Sequence, residues 1–480
     1  MSSNSPHSPH SPQAAAPNSS SARTVAFQAL RAVHGGAYTD VALDRALKST
    51  PLQPSDRGLA TELVYGCIRR QRTLDSLVDA LAKKPALAQP PDLRSLFHLG
   101  LYQLRYLDHI PPSAAVNTTV ELAKQEGLAG LAGVVNGLLR QYLRLRKAPE
   151  PAGTEPDRSP PPLVDPLPLP ADASQHLGIQ QSFPDWIVEI WRSQLPEGEI
   201  QALAEWFNRP PSLDLRINPL RTSLAQAQQA LNDQQLSPQA ILGLPQALRL
   251  LGPTGPVKAL AGFEAGWWMV QDASAQLVGH LLDPQPGETL IDACAAPGGK
   301  TAHLAELMDN RGVLWALDRT ASRLRKLKQN AKRLGLKNIR LLEGDSRHQP
   351  QFAERADRVL VDAPCSGLGT LHRHADARWR QTPELIQGLV PLQTALLNSA
   401  ATWVKPQGLL VYATCTLNPA ENEAVIAQFL QHHPRWHIEP PPPTSPPGRF
   451  ATPEGWVKVW PHRDNMDGFF MVALRQGEHR

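Results

Sequence analysis

From about Arg23 to Lys147 apolar residues recur every three or four positions. Val25, Leu30 and Val33 share one side of "ARTVAFQALRAVHGG", which stops at paired glycines. Leu59, Leu63, Ile68, Leu74, Leu77 and Val78 carry the same period through "DRGLATELVYGCIRRQRTLDSLVDALA", and "PDLRSLFHLGLYQLRYL", "SAAVNTTVELAKQ" and "GLAGVVNGLLRQYLRL" repeat it. A spacing of 3.6 predicts an all-α bundle over 23–147. Between 179 and 262 the pattern mixes a helical "FPDWIVEIWRSQL", a strand-like "SLDLRINPL" and another helix before "ALRLLG", which predicts a small α+β module. From 263 onward short apolar runs alternate with helical stretches. "ETLIDACAAPGGKTAHLAELM" passes from strand through a glycine turn into helix, and "GVLWALD", "IRLLEGD" and "DRVLVDAP" read as further strands. That alternation predicts a Rossmann-like α/β domain with a parallel sheet.

Composition separates these units. A chain of 480 residues with 41% hydrophobic content exceeds one ordinary core. Residues 148–170 hold nine prolines, which remove backbone donors and favour extended chain, so a linker is expected there. The Ser/Pro/His-rich start should be disordered, and "PPPPTSPP" at 440–447 reads as a loop between late elements. The expected organisation is a tail at 1–22, the helical bundle at 23–147, the linker at 148–178, the α+β module at 179–262 and the α/β domain at 263–480. No stretch has the apolar length of a signal peptide or of a membrane span, which needs roughly 18 residues, so a cytoplasmic protein without membrane association is expected. Four cysteines, none in a C-x-x-C pair, suggest neither a disulfide framework nor a metal site; they should act as thiols.

Charge changes the picture locally. Residues 21–150 carry 17 Lys and Arg against 11 Asp and Glu, and 319–340 carry nine basic residues and no acidic one. Such fields suit a polyanion, or in the second case simply a solvated helix face. Trp206, Phe207, Arg209 and Arg216 would suit single-stranded RNA if exposed, or the core if not. His34, His98 and His109 are read as core or surface residues.

The chemistry concentrates after residue 288. Gly298 and Gly299 let the backbone approach a ligand before a helix amino terminus. Asp318, Asp345 and Asp362 stand at successive carboxyl ends of strands, where open α/β sheets bind ligands. Asp318 is placed for a ribose diol and Asp345 for an adenine amino group. The set favours S-adenosylmethionine, with NAD as the rival, and NAD leaves Cys365 in "VDAPCSG" and Cys415 in "VYATCT" unexplained. Carbon 5 of cytosine needs a thiolate on carbon 6 before it accepts a methyl group, and a second thiol could help release the product. Asp362, neutral or sharing a proton with the ring nitrogen, would stabilise the adduct. Enzymes that methylate amino groups commonly carry Asn/Asp-Pro-Pro-aromatic at this strand, whereas "DAPC" stands here.

"DACAAPGGKT", "VDAPCSGLGT" and "YATCTLNPAENE", with "LRINPL", "VQDASAQL" and "DGFFMVAL", resemble the Sun family of RNA 5-methylcytosine methyltransferases. "PPSAAVNTTVELAK" with "VVNGLLR" resembles the NusB-type RNA-binding bundle. The resemblance implies that Cys294, Ala295, Ala296, Pro297, Gly298, Gly299 and Lys300 form the cofactor loop, Lys300 touching cofactor or base. Asp318, Asp345 and Asp362 contact or border S-adenosylmethionine, Cys415 is the nucleophile and Cys365 assists release. Cys67 and Cys294 are packed thiols. The implied partner is 16S ribosomal RNA not yet in a complete subunit, without an obligate protein partner; transfer RNA, 23S ribosomal RNA or a catalytically silent assembly factor are the alternatives. Two departures stand out: Thr416 where the family has Ser after the nucleophile, and Ser346 where it often has Ala. Both are small, and neither should alter the chemistry.

Overall fold

The computed structural model describes residues 21–146 and 164–477. Most of the tail expected at 1–22 and much of the proline-rich linker thus lie outside the described residues, while Ser21 and Ala22 already belong to the first helix, as its cap and its first residue. The chain divides into two compact units, at Pro170 and Ala171.

The first unit is a helical bundle: α1 (Ala22–His34), α2 (Thr39–Ser49), α3 (Pro54–Arg69), α4 (Gln71–Leu81), α5 (Pro91–Tyr106), α6 (Pro112–Gln125) and α7 (Ala132–Arg146). The Ser21 hydroxyl caps α1 by accepting from the Thr24 amide at 3.2 Å. The apolar run expected to continue unbroken past Arg69 is two helices, because Arg70 leaves helical geometry at φ −106° and ψ 17°. α2 was not legible in the spacing. Val25, Leu30, Leu63, Leu74, Leu77 and Leu99 are buried at its centre. Asp165, within the expected linker, is held by both arms of Arg105 at 2.6 Å, so residues 164–170 belong with this unit.

The second unit begins with α8 (Ala173–Gln181), α9 (Asp185–Arg192) and α10 (Glu197–Phe207). The expected linker therefore ends earlier than 178, where Asp172 accepts from the Gln175 amide at 2.8 Å and starts α8. Next come β1 (Leu213–Ile217), α11 (Leu224–Asp233), β2 (Ser237–Ala240), β3 (Ala247–Leu251) and β4 (Trp268–Val270), forming an antiparallel sheet in the order β2-β3-β1-β4. The module thus reaches past 262, because buried Trp268 brings β4 beside β1. Trp206 and Phe207 do not await bases: they are buried, Phe207 stacking on Trp191 at 5.6 Å, and Arg216 is buried on Glu306.

The remainder is α12 (Ala273–Leu282), β5 (Thr289–Asp292), α13 (Gly299–Leu307), β6 (Val313–Asp318), α14 (Ala321–Leu334), β7 (Ile339–Glu343), β8 (Ala356–Asp362), α15 (Ala377–Arg380), α16 (Pro383–Ala401), β9 (Val404–Thr414), α17 (Glu423–His432), β10 (Trp436–Ile438), β11 (Val457–Val459), α18 (Pro461–Asp464) and β12 (Phe469–Gln476). The sheet runs β10-β12-β9-β8-β5-β6-β7, with β11 on β12. Strands β5 to β9 are parallel, and β12 enters antiparallel. Neighbouring residues bury on opposite faces. Leu290, Ala316, Leu360 and Val411 meet α12, α13 and α14, while Ile291, Leu317, Val361 and Tyr412 meet α16 and α17. This doubly covered sheet explains the continuous apolar strands. The "PPPPTSPP" tract lies between β10 and β11. No helix among the described residues is long and apolar enough to cross a membrane.

Candidate active site

The chain order brings the carboxyl ends of β5, β6, β7, β8 and β9 to one edge of the sheet. A cavity of about 260 Å³ opens there. Cys294, Ala296, Lys300, Asp318, Asp345, Asp362, Cys365 and Cys415 all line it. Ala295, Pro297, Gly298 and Gly299 complete the loop behind. The Ala295 amide donates to Leu317 O at 2.8 Å, tying the loop to β6. Gly298 has φ +103°, and a Cβ there would lie 2.6 Å from Leu327 Cγ, so the sharp entry into α13 needs glycine. The Arg216 guanidinium donates to Gly299 O at 2.7 Å, which anchors the loop from β1.

At the β6 and β7 end the acids already have partners. Asp318 accepts from the Thr320 amide at 2.8 Å and faces Arg323 at 3.2 Å. Arg323 also donates to Ala296 O at 2.5 Å. Asp345 is gripped by Arg347 at 2.6 Å, and that hydrogen bond holds its carboxyl well below the usual range. An adenine amino group would share Asp345 with this guanidinium. Ser346 donates to Ala293 O at 2.6 Å, so its hydroxyl joins the β7 loop to the β5 loop. Behind them Asp292 is buried and accepts from Thr301 Oγ1 at 2.7 Å; burial pushes its pKa up to about 7, the Thr301 bond partly offsetting it.

At the β8 and β9 end the two cysteine sulfurs lie 3.5 Å apart. Lys300 Nζ is 2.7 Å from Asp362 and 4.9 Å from the centre of the Phe469 ring. This contact has the geometry of an ion pair, which differs from the neutral Asp362 considered from sequence. Burial works to lower the Lys300 pKa, and Asp362 overcomes it, so the ammonium is held above its ordinary value. The Cys415 thiol is drawn below its ordinary value, first by the hydrogen bond from Cys365, against burial, with help from Lys300. The same bond pushes Cys365 well up, with burial and the neighbouring negative charges adding to it. The two thiols are thus pushed in opposite directions, Cys415 down and Cys365 up. Burial also raises the thiols of Cys294 and Cys67.

Arg319, Thr320, Arg323, Ser346, Leu392 and Leu396 also line the cavity, and none was a candidate from sequence. Glu421 of "NPAENE", which no sequence pattern marks as part of the site, is buried and accepts from the Ser366 amide at 2.8 Å. A hydroxyl residue directly after each cysteine was the available signal. Among the described residues no group of His, Cys, Asp and Glu could hold a metal.

A family model described as 16S rRNA methyltransferase RsmB/F matches residues 279–475. Others match the NusB family at 20–144 and an RsmF/B-like ferredoxin-like domain at 183–258. A probable ribosomal RNA small subunit methyltransferase B from Synechocystis sp. is 52% identical over 461 residues, covering 95% of this chain and 99% of that protein. A probable ribosomal RNA small subunit methyltransferase B from Bacillus subtilis is 33% identical over 461 residues, with the same coverage of both. The solved structure of PH0851 superposes with a TM-score of 0.77 at 27% identity, over 94% of this chain and 98% of that one.

Proposed function

The chain belongs to the RsmB/F family of 16S rRNA methyltransferases, and on that premise we propose that it methylates carbon 5 of a cytosine in 16S ribosomal RNA through a covalent bond from Cys415. The observation that carries this is the pair of sulfurs 3.5 Å apart on the wall of a cavity that Asp318 and Asp345 also line. An amino-group methyltransferase has no use for two adjacent thiols of opposite proton affinity.

The residues fit S-adenosylmethionine: an acid at the end of β6, a glycine-bearing turn pressed onto α14, and an acid beyond β7. Asp318 would hold the ribose, and the loop Cys294–Lys300 would pass beneath the methionine part. When bound, the cofactor supplies an electrophilic methyl group. The chain does the rest. The Cys415 thiolate would add to carbon 6 and move the ring electrons to carbon 5, which would accept the methyl group while the bond from that group to the donor sulfur breaks and leaves a neutral thioether. Lys300 and Asp362, paired at 2.7 Å, stand where they can bind the polar edge of the ring and balance the charge that develops on it. A base then takes the proton from carbon 5, the electron pair re-forms the ring double bond, and the bond to Cys415 breaks. Cys365 lies near enough to exchange a proton with the departing sulfur.

Cys415→Ala should abolish methylation and give no covalent species. Cys365→Ala should accumulate a protein–RNA adduct, visible as a shifted band on a denaturing gel. An adduct in the Cys415 variant, or methyl transfer retained by it, overturns the assignment. Bisulfite sequencing of total RNA with and without the protein identifies the modified cytosine; a changed site in transfer RNA or 23S RNA would redirect the substrate, and no changed site would favour a silent assembly factor.

A further inference from the structure

The two cysteines stand on different loops, and something must hold those loops in register. Ser366 follows Cys365 and Thr416 follows Cys415, and their hydroxyls lie 2.8 Å apart. Glu421 is buried beneath both. One of its oxygens accepts from the Ser366 amide at 2.8 Å and from Gln393 Nε2 at 3.0 Å; the other accepts from the Ser366 hydroxyl and from Thr416 Oγ1 at 3.3 Å. Gln393, on α16, also donates to Pro364 O at 3.0 Å, one residue before Cys365. Asn422 completes the clamp by donating to Thr416 O at 2.9 Å and accepting from Thr414 at 2.6 Å.

We infer that Glu421 is a positioning residue of this site, which fixes the two cysteine turns against each other and sets a buried negative charge behind Cys365. The charges around the pair are then unequal. Lys300 acts on Cys415, while Glu421 acts on Cys365, with Asp362 and Tyr412 the other titratable groups packed beside them. An anion beside Cys365 penalises a second anion there. That penalty keeps the proton on Cys365 and leaves Cys415 as the nucleophile. The inference rests on the proposed roles of the two cysteines, but its test needs neither RNA nor cofactor.

Glu421→Gln separates charge from shape. The amide oxygen can still accept from Ser366 N–H and Gln393, while the amide nitrogen donates to the hydroxyl oxygens of Ser366 and Thr416. The full chain is treated with iodoacetamide across pH, a thiolate displacing iodide, and alkylation of each cysteine is followed by peptide mass spectrometry. In the unaltered protein Cys415 should react at lower pH than Cys365. In Glu421→Gln the Cys365 rate at pH 8 should rise about fivefold, as expected for a fall approaching one pKa unit, while the Cys415 rate changes less than about twofold. A thermal melt confirms that the variant is folded. Unchanged rates at both cysteines overturn the inference, and so does a parallel rise at both, which a loosened scaffold would produce. If the alkylation order holds but the unaltered protein transfers no methyl group to RNA, the proposed function fails and the positioning role stands.

Discussion

Arg216 offers the sharpest test of how the loop Cys294–Lys300 is held. It lies on β1, yet its guanidinium is paired side-on with Glu306 of α13, both contacts at 2.8 Å and both side chains fully buried. Its remaining nitrogen donates to Gly299 O and to Gln271 Oε1. Arg216→Met keeps the length and apolar stem but strands a carboxyl group without a partner. Removing one member of a buried pair costs about 3–5 kcal/mol, whereas replacing both by apolar residues is often close to neutral. At about 2 °C per kcal/mol for a unit of this size, the melting transition should fall by roughly 6–10 °C. Burial already holds the Glu306 pKa above its ordinary value even with Arg216 present. Without the cation it rises further, so the fold is most stable below the ordinary glutamate pKa and loses stability as pH climbs through the raised one. The deficit should therefore be larger at pH 8 than at pH 5. The assay is calorimetry of the full chain at both pH values, with Arg216→Met/Glu306→Leu alongside. A single variant melting within about 2 °C of the unaltered protein at pH 8, or a double variant no better than the single, would refute the reasoning.

Two further outcomes follow from the same site. With the Asp292 carboxyl lifted by burial to about 7 from 3.8, its ionisation at pH 8 costs the fold about 4 kcal/mol. That cost is absent below the unfolded value and grows as pH rises toward 7, so the melting temperature of Asp292→Asn relative to the unaltered protein should climb from pH 5 to pH 8; a constant difference contradicts it. A Cβ on Gly369 would lie 2.0 Å from Gly468 O and 2.9 Å from Cys415 O, both backbone atoms that cannot swing away. Gly369→Ala should lower kcat at least roughly tenfold through displacement of Cys415, with the KM for the methyl donor changed less than about twofold, since geometry lost at the reacting atoms appears in kcat; unchanged single-turnover kinetics would rule this out.

The strand ends were legible because they combine two periodicities that sequence shows directly, a short apolar run and a polar residue that ends it. Asp318, Asp362 and Cys415 were found that way, and all three line the cavity. What escaped were side chains whose partners lie far along the chain. Arg216 and Trp206 stayed open between RNA contact and core because local composition cannot report burial; Glu306 and His372 cover them from 90 and 166 positions later. Glu421 escaped for a related reason. Nothing local in "NPAENE" marks this glutamate as buried, and only folding brings it under Ser366, 55 residues earlier. Domain limits were blurred by proline, which marks where helices cannot run but not where packing begins: Asp165 is ion-paired inside the expected linker, and Trp268 draws β4 into a sheet expected to have ended.

The meeting of the cysteines is a consequence of strand register. β8 and β9 are parallel neighbours, and Asp362 stands opposite Ala413. Cys365 is three residues beyond Asp362, Cys415 two beyond Ala413, so fifty residues of sequence separation close to 3.5 Å. Both strands are buried on two faces, which fixes the register: a slip by one residue would turn Val361 and Tyr412 toward the wrong helices. The sheet thus fixes where the sulfurs are, but it is nearly symmetric with respect to them, since both leave parallel strands at similar heights. Asymmetry comes from what is added beyond the strand ends, Lys300 from α13 on the side of Cys415 and Glu421 from the segment before α17 behind Cys365. The proposed mechanism, in which one thiol forms the bond and the other helps release it, needs that division, because two equally acidic thiols would compete for carbon 6.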